Sequence, residues 1–338
     1  MTDAANPVLV EATRGAFVER SHRGAVAVAH VSGGLVFAAG DVSRPLLPRS
    51  SVKLLQALPL VESGAADAFG LDPRRLALAC ASHQGSFAHA GAVADWLTAL
   101  GLGERDLMCG PQTPPDRETR EAMRVESAQP SQLNNNCSGK HAGFLTLARH
   151  LGAATDGYIA AEHPVQRAAA AAFAEATGVE PPLDWAVDGC SAPNFAAPLA
   201  ALAAAFARVA RPAEGFSGAR AAAAERLRDA MRAHPFEVAG AGRACTELME
   251  AAQGRAVIKT GAEGCFTAAL PEAGLGIALK IDDGDTQAAE CAMAALLVRH
   301  GAVSPEDPRV ARRLAPALRN RRDLVTGARR ASSLLTRN

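Results

Sequence analysis

The chain has 338 residues, 49% apolar but only 4% aromatic, and its 35 basic and 35 acidic residues cancel to zero formal charge. The apolar content excludes a disordered chain, and the absence of a basic excess argues against a nucleic-acid partner. Seven cysteines, an odd number in so long a chain, point to reduced thiols rather than a disulfide framework. The N-terminus shows no basic region leading into an apolar core and a small-residue cleavage site, and no run of about 18 apolar residues occurs. The expectation is a cytoplasmic protein with no membrane association.

The first elements read as sheet. Val8 to Thr13 is followed by the alternating stretch Ala25 to Val31, a Gly33-Gly34 turn and the apolar run Leu35 to Gly40, which together predict an antiparallel hairpin. After the rigid Arg44-Pro45-Leu46-Leu47-Pro48 approach, Leu54, Leu55, Leu58 and Val61 have helical spacing, with Ser50 or Ser51 as the N-cap and Pro59 as a kink or stop. Helices follow over 73–81, 87–100, 139–151 and 164–177, and a polar loop with Pro111, Pro114 and Pro115 separates the second from the third. Leu183 to Asp188 reads as a short strand, then helices over 194–210, 218–233 and 244–252. Sheet returns at Ala256 to Lys259, Cys265 to Leu270 and Leu275 to Ile281, and Asp285 caps a last helix running to about His300.

Strands, many helices, strands and a helix, in that order, give an α+β fold. The terminal segments share one antiparallel sheet, and a helical lobe is inserted between them. The expected domain is 1–308, with a sheet lobe of about 1–50 and 253–302 and a helical lobe of about 51–252. The Arg-rich segment 309–338 reads as a solvated tail.

Two motifs carry chemistry when taken together. Ser50-Ser51-Val52-Lys53 sets a lysine one helical turn after a serine, on the same face, where a buried amine can take the hydroxyl proton. Lys259-Thr260-Gly261 ends a late strand. A Ser-x-x-Lys on an early helix and a Lys-Thr-Gly on a late strand are the paired signatures of serine acyl transferases of the β-lactamase and penicillin-binding type. Three polar segments accompany them: Cys80-Ala81-Ser82-His83, the run Asn134 to Phe144 containing Cys137-Ser138-Gly139-Lys140-His141, and Asp188-Gly189-Cys190-Ser191-Ala192-Pro193. Taken singly, each reads equally well as a cap or a turn.

As an ordered set, these segments resemble the bacterial L-asparaginase II family of the Rhizobium etli type. The matching pieces are Pro48-Arg49-Ser50-x-x-Lys53, Ala81-Ser82-His83, Asn136 to Gly143, Asp188 to Pro193 and Lys259 to Gly264, within a resemblance running from about residue 8 to about 300. The resemblance implies a β-lactamase-like fold, a homodimer and hydrolysis of L-asparagine to L-aspartate and ammonia. It implies two Ser–Lys pairs: Ser50, the expected nucleophile, with Lys53 as its base, and Ser82 with Lys259. It also implies a zinc site of Cys137, Lys140 and Cys190, and places Cys245 near the site. Thiolates suit zinc, but a lysine amine must lose its proton to bind one.

A free amino acid presents a carboxylate and an ammonium. Arg49 is the candidate for the first and Asp188 for the second, with His141 as a further binding or supporting residue. The same motifs would serve a glutaminase or another β-lactamase-like amidase. A non-catalytic asparagine- or zinc-binding protein is the alternative from a different class.

Overall fold

The computed structural model describes residues 6–336. They divide into two compact units. Unit 1 takes the chain up to Ser51, Ala197–Gly215 and everything from Glu247 on; unit 2 takes Val52–Ala196 and Phe216–Thr246.

Unit 1 is built on one antiparallel sheet. Its strands are β1 (Val8–Arg14), β2 (Phe17–His30), β3 (Leu35–Ala39), β4 (Val257–Thr260), β5 (Cys265–Leu270), β6 (Leu275–Ile281), β7 (Ala317–Arg319) and β8 (Val325–Ala331). The spatial order is β7-β8-β1-β2-β6-β5-β4, with β3 also pairing to β2. The expected hairpin forms, with Val26 opposite Ala39 and Ala27 opposite Ala38. β2 is longer than its apolar alternation suggests, because its exposed first half, Phe17 to Ser21, pairs with β1. All of β5 is buried, so both of its faces are covered. In β6 the missing side chain of Gly276 admits the helix Leu199–Ala210: a Cβ there would lie 2.0 Å from the Ala207 nitrogen and 2.1 Å from the Ala203 oxygen.

Two expectations need correction here. The helix read over 194–210 begins only at Leu199, since Pro193–Phe195 pairs as a strand with Trp185–Val187 and Pro198 sits extended at the N-cap. The Arg-rich segment is not a solvated tail. It forms a helix (Pro308–Leu314) and the strands β7 and β8, and Val10 pairs with Ala331. Its arginines supply the reason: Arg312 and Arg313 both meet the buried Glu247, Arg313 also meets Glu290, Arg329 meets Asp285, and Arg330 meets Glu11.

Unit 2 is helical. At its centre lies Lys53–Glu62, in which every residue from Lys53 to Val61 is buried, Pro59 included. A helix apolar on all sides needs neighbours on all sides. It has them in Ser138–His150, Pro164–Thr177 and Gly218–Ala233, with Pro73–Ala79 touching its edge. Alanine on these partners permits close approach. Pro59 does not end the helix, which runs on to Glu62. A helix over Arg117–Val125, capped by Asp116 onto the Thr119 nitrogen, lies in the segment read as a polar loop. Among the described residues no helix is long and apolar enough to cross a membrane.

Candidate active site

Unit 1 carries the Ser50 turn. Pro45–Leu46, just before it, pairs with Ala197–Pro198. Residues Arg49–Val52 then make a 3-10 turn, with Arg49 at φ 54, a strained value for a residue with a side chain. The expected serine cap does not form. The following helix starts at Lys53 behind an uncapped Val52, and the Ser51 hydroxyl turns back to donate to the Pro48 carbonyl at 2.7 Å. Ser50 itself is half-buried.

The Lys-Thr-Gly segment packs on this turn. A Cβ on Gly261 would lie 2.6 Å from the Pro48 oxygen and 3.1 Å from the Ser51 nitrogen, so only glycine allows the approach. The Thr267 hydroxyl donates to the Ser51 carbonyl at 2.9 Å and lies 3.4 Å from the Lys259 carbonyl. Lys259 is fully buried and its ammonium donates to the Thr260 carbonyl at 2.7 Å. The backbone of the Ser50 turn and the end of the Lys259 strand are thus packed together.

Unit 2 carries the other candidates. Lys53 is 1% exposed, and its Nζ lies within hydrogen-bond distance of three oxygens: the Ser82 hydroxyl at 2.9 Å, the Ala81 carbonyl, and the Asn136 carbonyl at 3.3 Å. The sequence paired Lys53 with Ser50 and Ser82 with Lys259; the hydrogen bond found joins Lys53 to Ser82. Ser82 is held where the chain leaves Pro73–Ala79, its nitrogen donating to the Val238 carbonyl at 2.9 Å.

The asparagine run is scaffold. Asn134 and Asn135 spend their side-chain amides on the carbonyls of Gly85, Cys109 and Gly110, and Asn135 Oδ1 accepts from the Cys137 nitrogen at 2.8 Å. Gly139 lets the helix Ser138–His150 approach Leu78, whose carbonyl would stand 2.4 Å from a Cβ. That helix turns Lys140 and His141 inward, both buried. The Asp188–Ala192 turn, with Ser191 at φ 69, brings in Cys190. A cleft of about 530 Å³, lined by Arg105, Met108, Gly110 and Ser191 among others, lies along this turn.

The buried charges are mutually supporting. Lys140 Nζ donates to Cys190 Sγ at 3.0 Å and lies 5.3 Å from the Phe144 ring centre. The Cys190 thiol is pushed far down by its contact with the Cys137 thiol, then by Lys140 and His141. The same contact together with burial pushes the Cys137 thiol up, and Cys137 Sγ donates to Asn136 Oδ1 at 3.0 Å while Cys190 receives the Lys140 bond. Burial works against the Lys140 ammonium, but the two sulfurs outweigh it and raise its pKa. His141 is pushed down to about 4 by burial, with Lys140 adding to the effect, so it is neutral. Asp188 Oδ2 stands 4.0 Å from Cys190 Sγ.

Two sulfurs and one amine at this spot suit a borderline-soft ion such as zinc. Among the described residues, no group of three or more His, Cys, Asp or Glu side chains is placed to hold a metal. A metal held by Cys137 and Cys190 would need Lys140, freed of its proton, as a third donor. The sequence reading missed Tyr158, whose hydroxyl meets His141 Nδ1 at 2.7 Å. The available signal was that it is the chain's single tyrosine and fully buried.

A serine hydroxyl bonded to a buried lysine, as at Ser82 and Lys53, has the make-up of part of a hydrolase centre. The chain belongs to the L-asparaginase II family, a family of amidohydrolases, whose profile matches residues 10–331 and so includes most of the Arg-rich segment. No curated protein matches the chain. Solved structures similar to it include Mglu in its native form, at 16% identity and TM-score 0.43, covering 78% of this chain and 60% of that one. A β-lactamase from Mycobacterium bovis matches at 16% identity and TM-score 0.41, covering 79% and 89%. Simvastatin synthase from Aspergillus terreus matches at 12% identity and TM-score 0.38, covering 79% and 90%. This chain thus spans under two thirds of that Mglu chain, and a likeness at this level carries no argument about activity.

Proposed function

We propose that the protein hydrolyses L-asparagine to L-aspartate and ammonia through a serine ester. Family membership supports the reaction class. The observation that carries the reading is the buried Lys53 Nζ hydrogen-bonded to the Ser82 hydroxyl at 2.9 Å, three residues after Ser50 in the chain. Ser50 attacks the side-chain carboxamide, and Lys53, as the neutral amine, accepts its proton. Ser82 passes a proton to the departing ammonia. Water then cleaves the aspartyl ester by the same groups in reverse. Lys259 supplies positive charge near the substrate, Arg49 pairs with the α-carboxylate, and Asp188 accepts from the α-ammonium.

Cys137, Cys190 and a deprotonated Lys140 would hold zinc, which would supply a Lewis-acidic anchor for a substrate oxygen or nitrogen. A second reading makes Ser82 the attacking serine, favoured by the same bond to Lys53.

The test is ammonia release from L-asparagine and L-glutamine, with and without zinc, by wild type, Ser50→Ala and Ser82→Ala, with the trapped adduct located by mass spectrometry. Asparagine-dependent release with an aspartyl adduct on Ser50 supports the reading. An adduct on Ser82 transfers the nucleophile's role. No release from folded protein under any metal condition overturns the proposed activity.

A further inference from the structure

The hydroxyl of Tyr158 is completely buried and sits between two partners. The Met108 backbone N–H donates to it at 2.9 Å, and His141 Nδ1 lies 2.7 Å away. The first bond occupies one lone pair of the oxygen. If Nδ1 also carried a proton and donated to that oxygen, the tyrosine's own proton would be left buried without an acceptor, an unsatisfied donor that a protein interior penalises. The arrangement closes only when the tyrosine donates to Nδ1. A neutral imidazole has a single N–H, so the proton must then be on Nε2. Nε2 is fully buried and has no partner in full hydrogen-bond geometry, yet the Cys190 sulfur lies close beside the ring.

We infer that Tyr158 is a positioning residue: its hydroxyl, oriented by the Met108 N–H, fixes His141 as the Nε2–H tautomer. His141 is thereby a hydrogen-bond donor facing the Cys190 sulfur and is not a metal ligand. Met108 lies on the cleft wall that also includes Ser191, the residue after Cys190. The same short chain of bonds therefore ties the cleft wall to the ring.

Part of the inference rests on the zinc reading and part does not. The tautomer is measured directly from ring-nitrogen shifts of histidine-labelled protein, with His141→Gln used to assign the signal. Wild type should show a protonated Nε2 and an unprotonated Nδ1, and Tyr158→Phe should lose the single form. A protonated Nδ1 in wild type overturns the proposal, with or without metal.

Zinc affinity by chelator competition is the second arm. Tyr158→Phe should weaken it about 10–100-fold, as removal of an outer-shell partner does, while Cys137→Ser should nearly abolish it. Wild type that binds no zinc but shows the Nε2–H form removes the zinc reading and leaves Tyr158's role intact. Zinc affinity unchanged in Tyr158→Phe, in protein that does bind zinc, overturns the link from tyrosine to metal site.

Discussion

Replacing Gly261 by alanine separates the positioning of the Ser50 turn from the stability of the fold. The new Cβ would meet three backbone atoms: the Pro48 oxygen at 2.6 Å, the Ser51 nitrogen at 3.1 Å and the Cys265 oxygen at 3.3 Å. None can swing aside as a flexible side chain could, so the turn must move by roughly 0.5 Å or more; overpacking of this kind costs about 1–3 kcal/mol. For a chain of 338 residues, an unfolding entropy of about 2.1 cal/mol/K per residue converts that to a Tm loss of about 1.5–4 °C. Misplacing a reacting group by up to about 1 Å costs as much as 10²-fold in rate. The expected outcome is therefore a modest Tm change with a large fall in kcat, read by calorimetry and ammonia release. Gly91→Ala is the control: Gly91 is exposed within the helix Phe87–Ala99 and an added Cβ meets nothing within 4 Å. It should gain about 0.5–1 kcal/mol and keep full activity. Gly261→Ala with the expected Tm loss but kcat within twofold of wild type would refute the idea that this glycine places a catalytic serine.

Lys53→Met should lower kcat by about 10²–10⁴-fold, the usual worth of a positioned acid–base group, with circular dichroism unchanged; turnover close to wild type would exclude Lys53 from the chemistry. Glu247→Gln should destabilise by about 2–3 kcal/mol in urea titration, because Arg312 and Arg313 lose the buried charge they share. Burial holds His89 below its ordinary value despite the hydrogen bond to the Phe236 carbonyl. The unfolded chain therefore takes up a proton near pH 6.5 that the folded protein refuses. The stability His89 contributes is present above that pH and is lost as pH falls below it. His89→Phe, which keeps a ring against Phe236, should flatten that part of the stability–pH curve; an unchanged slope would exclude His89 as its source.

Much of this was legible in the residues themselves. Helices with alanine or leucine at regular spacing, such as Pro164–Thr177 and Gly218–Ala233, and the strands β3, β5 and β6 follow directly from hydrophobic period. The first half of β2 and the strands β7 and β8 were not visible, because they are polar and are held by pairing and by arginine–carboxylate contacts far apart in sequence. The chain order of Ser50, Lys53, Ser82 and Lys259 is what suggests the proposed chemistry. It could not say which lysine bonds which serine, since Lys53 reaches Ser82 only through tertiary packing. Tyr158 carried no motif at all; its role exists only because a buried hydroxyl must place its proton somewhere.

The pairing of Val10 with Ala331 and of Gly24 with Ile281 constrains synthesis in the cell. β1, β2 and β3 can pair with one another once made, but the second neighbours of β1 and β2 exist only when nearly the whole chain has been made, roughly 10–60 s later at ordinary elongation rates. Meanwhile β2 offers the apolar stretch Ala25–Ala29, and β1 its backbone edge, to any passing chain. Contacts so distant in sequence also make closure of the sheet slow. Newly made protein should therefore depend on chaperone protection more heavily than its even charge and alanine-rich helices would suggest.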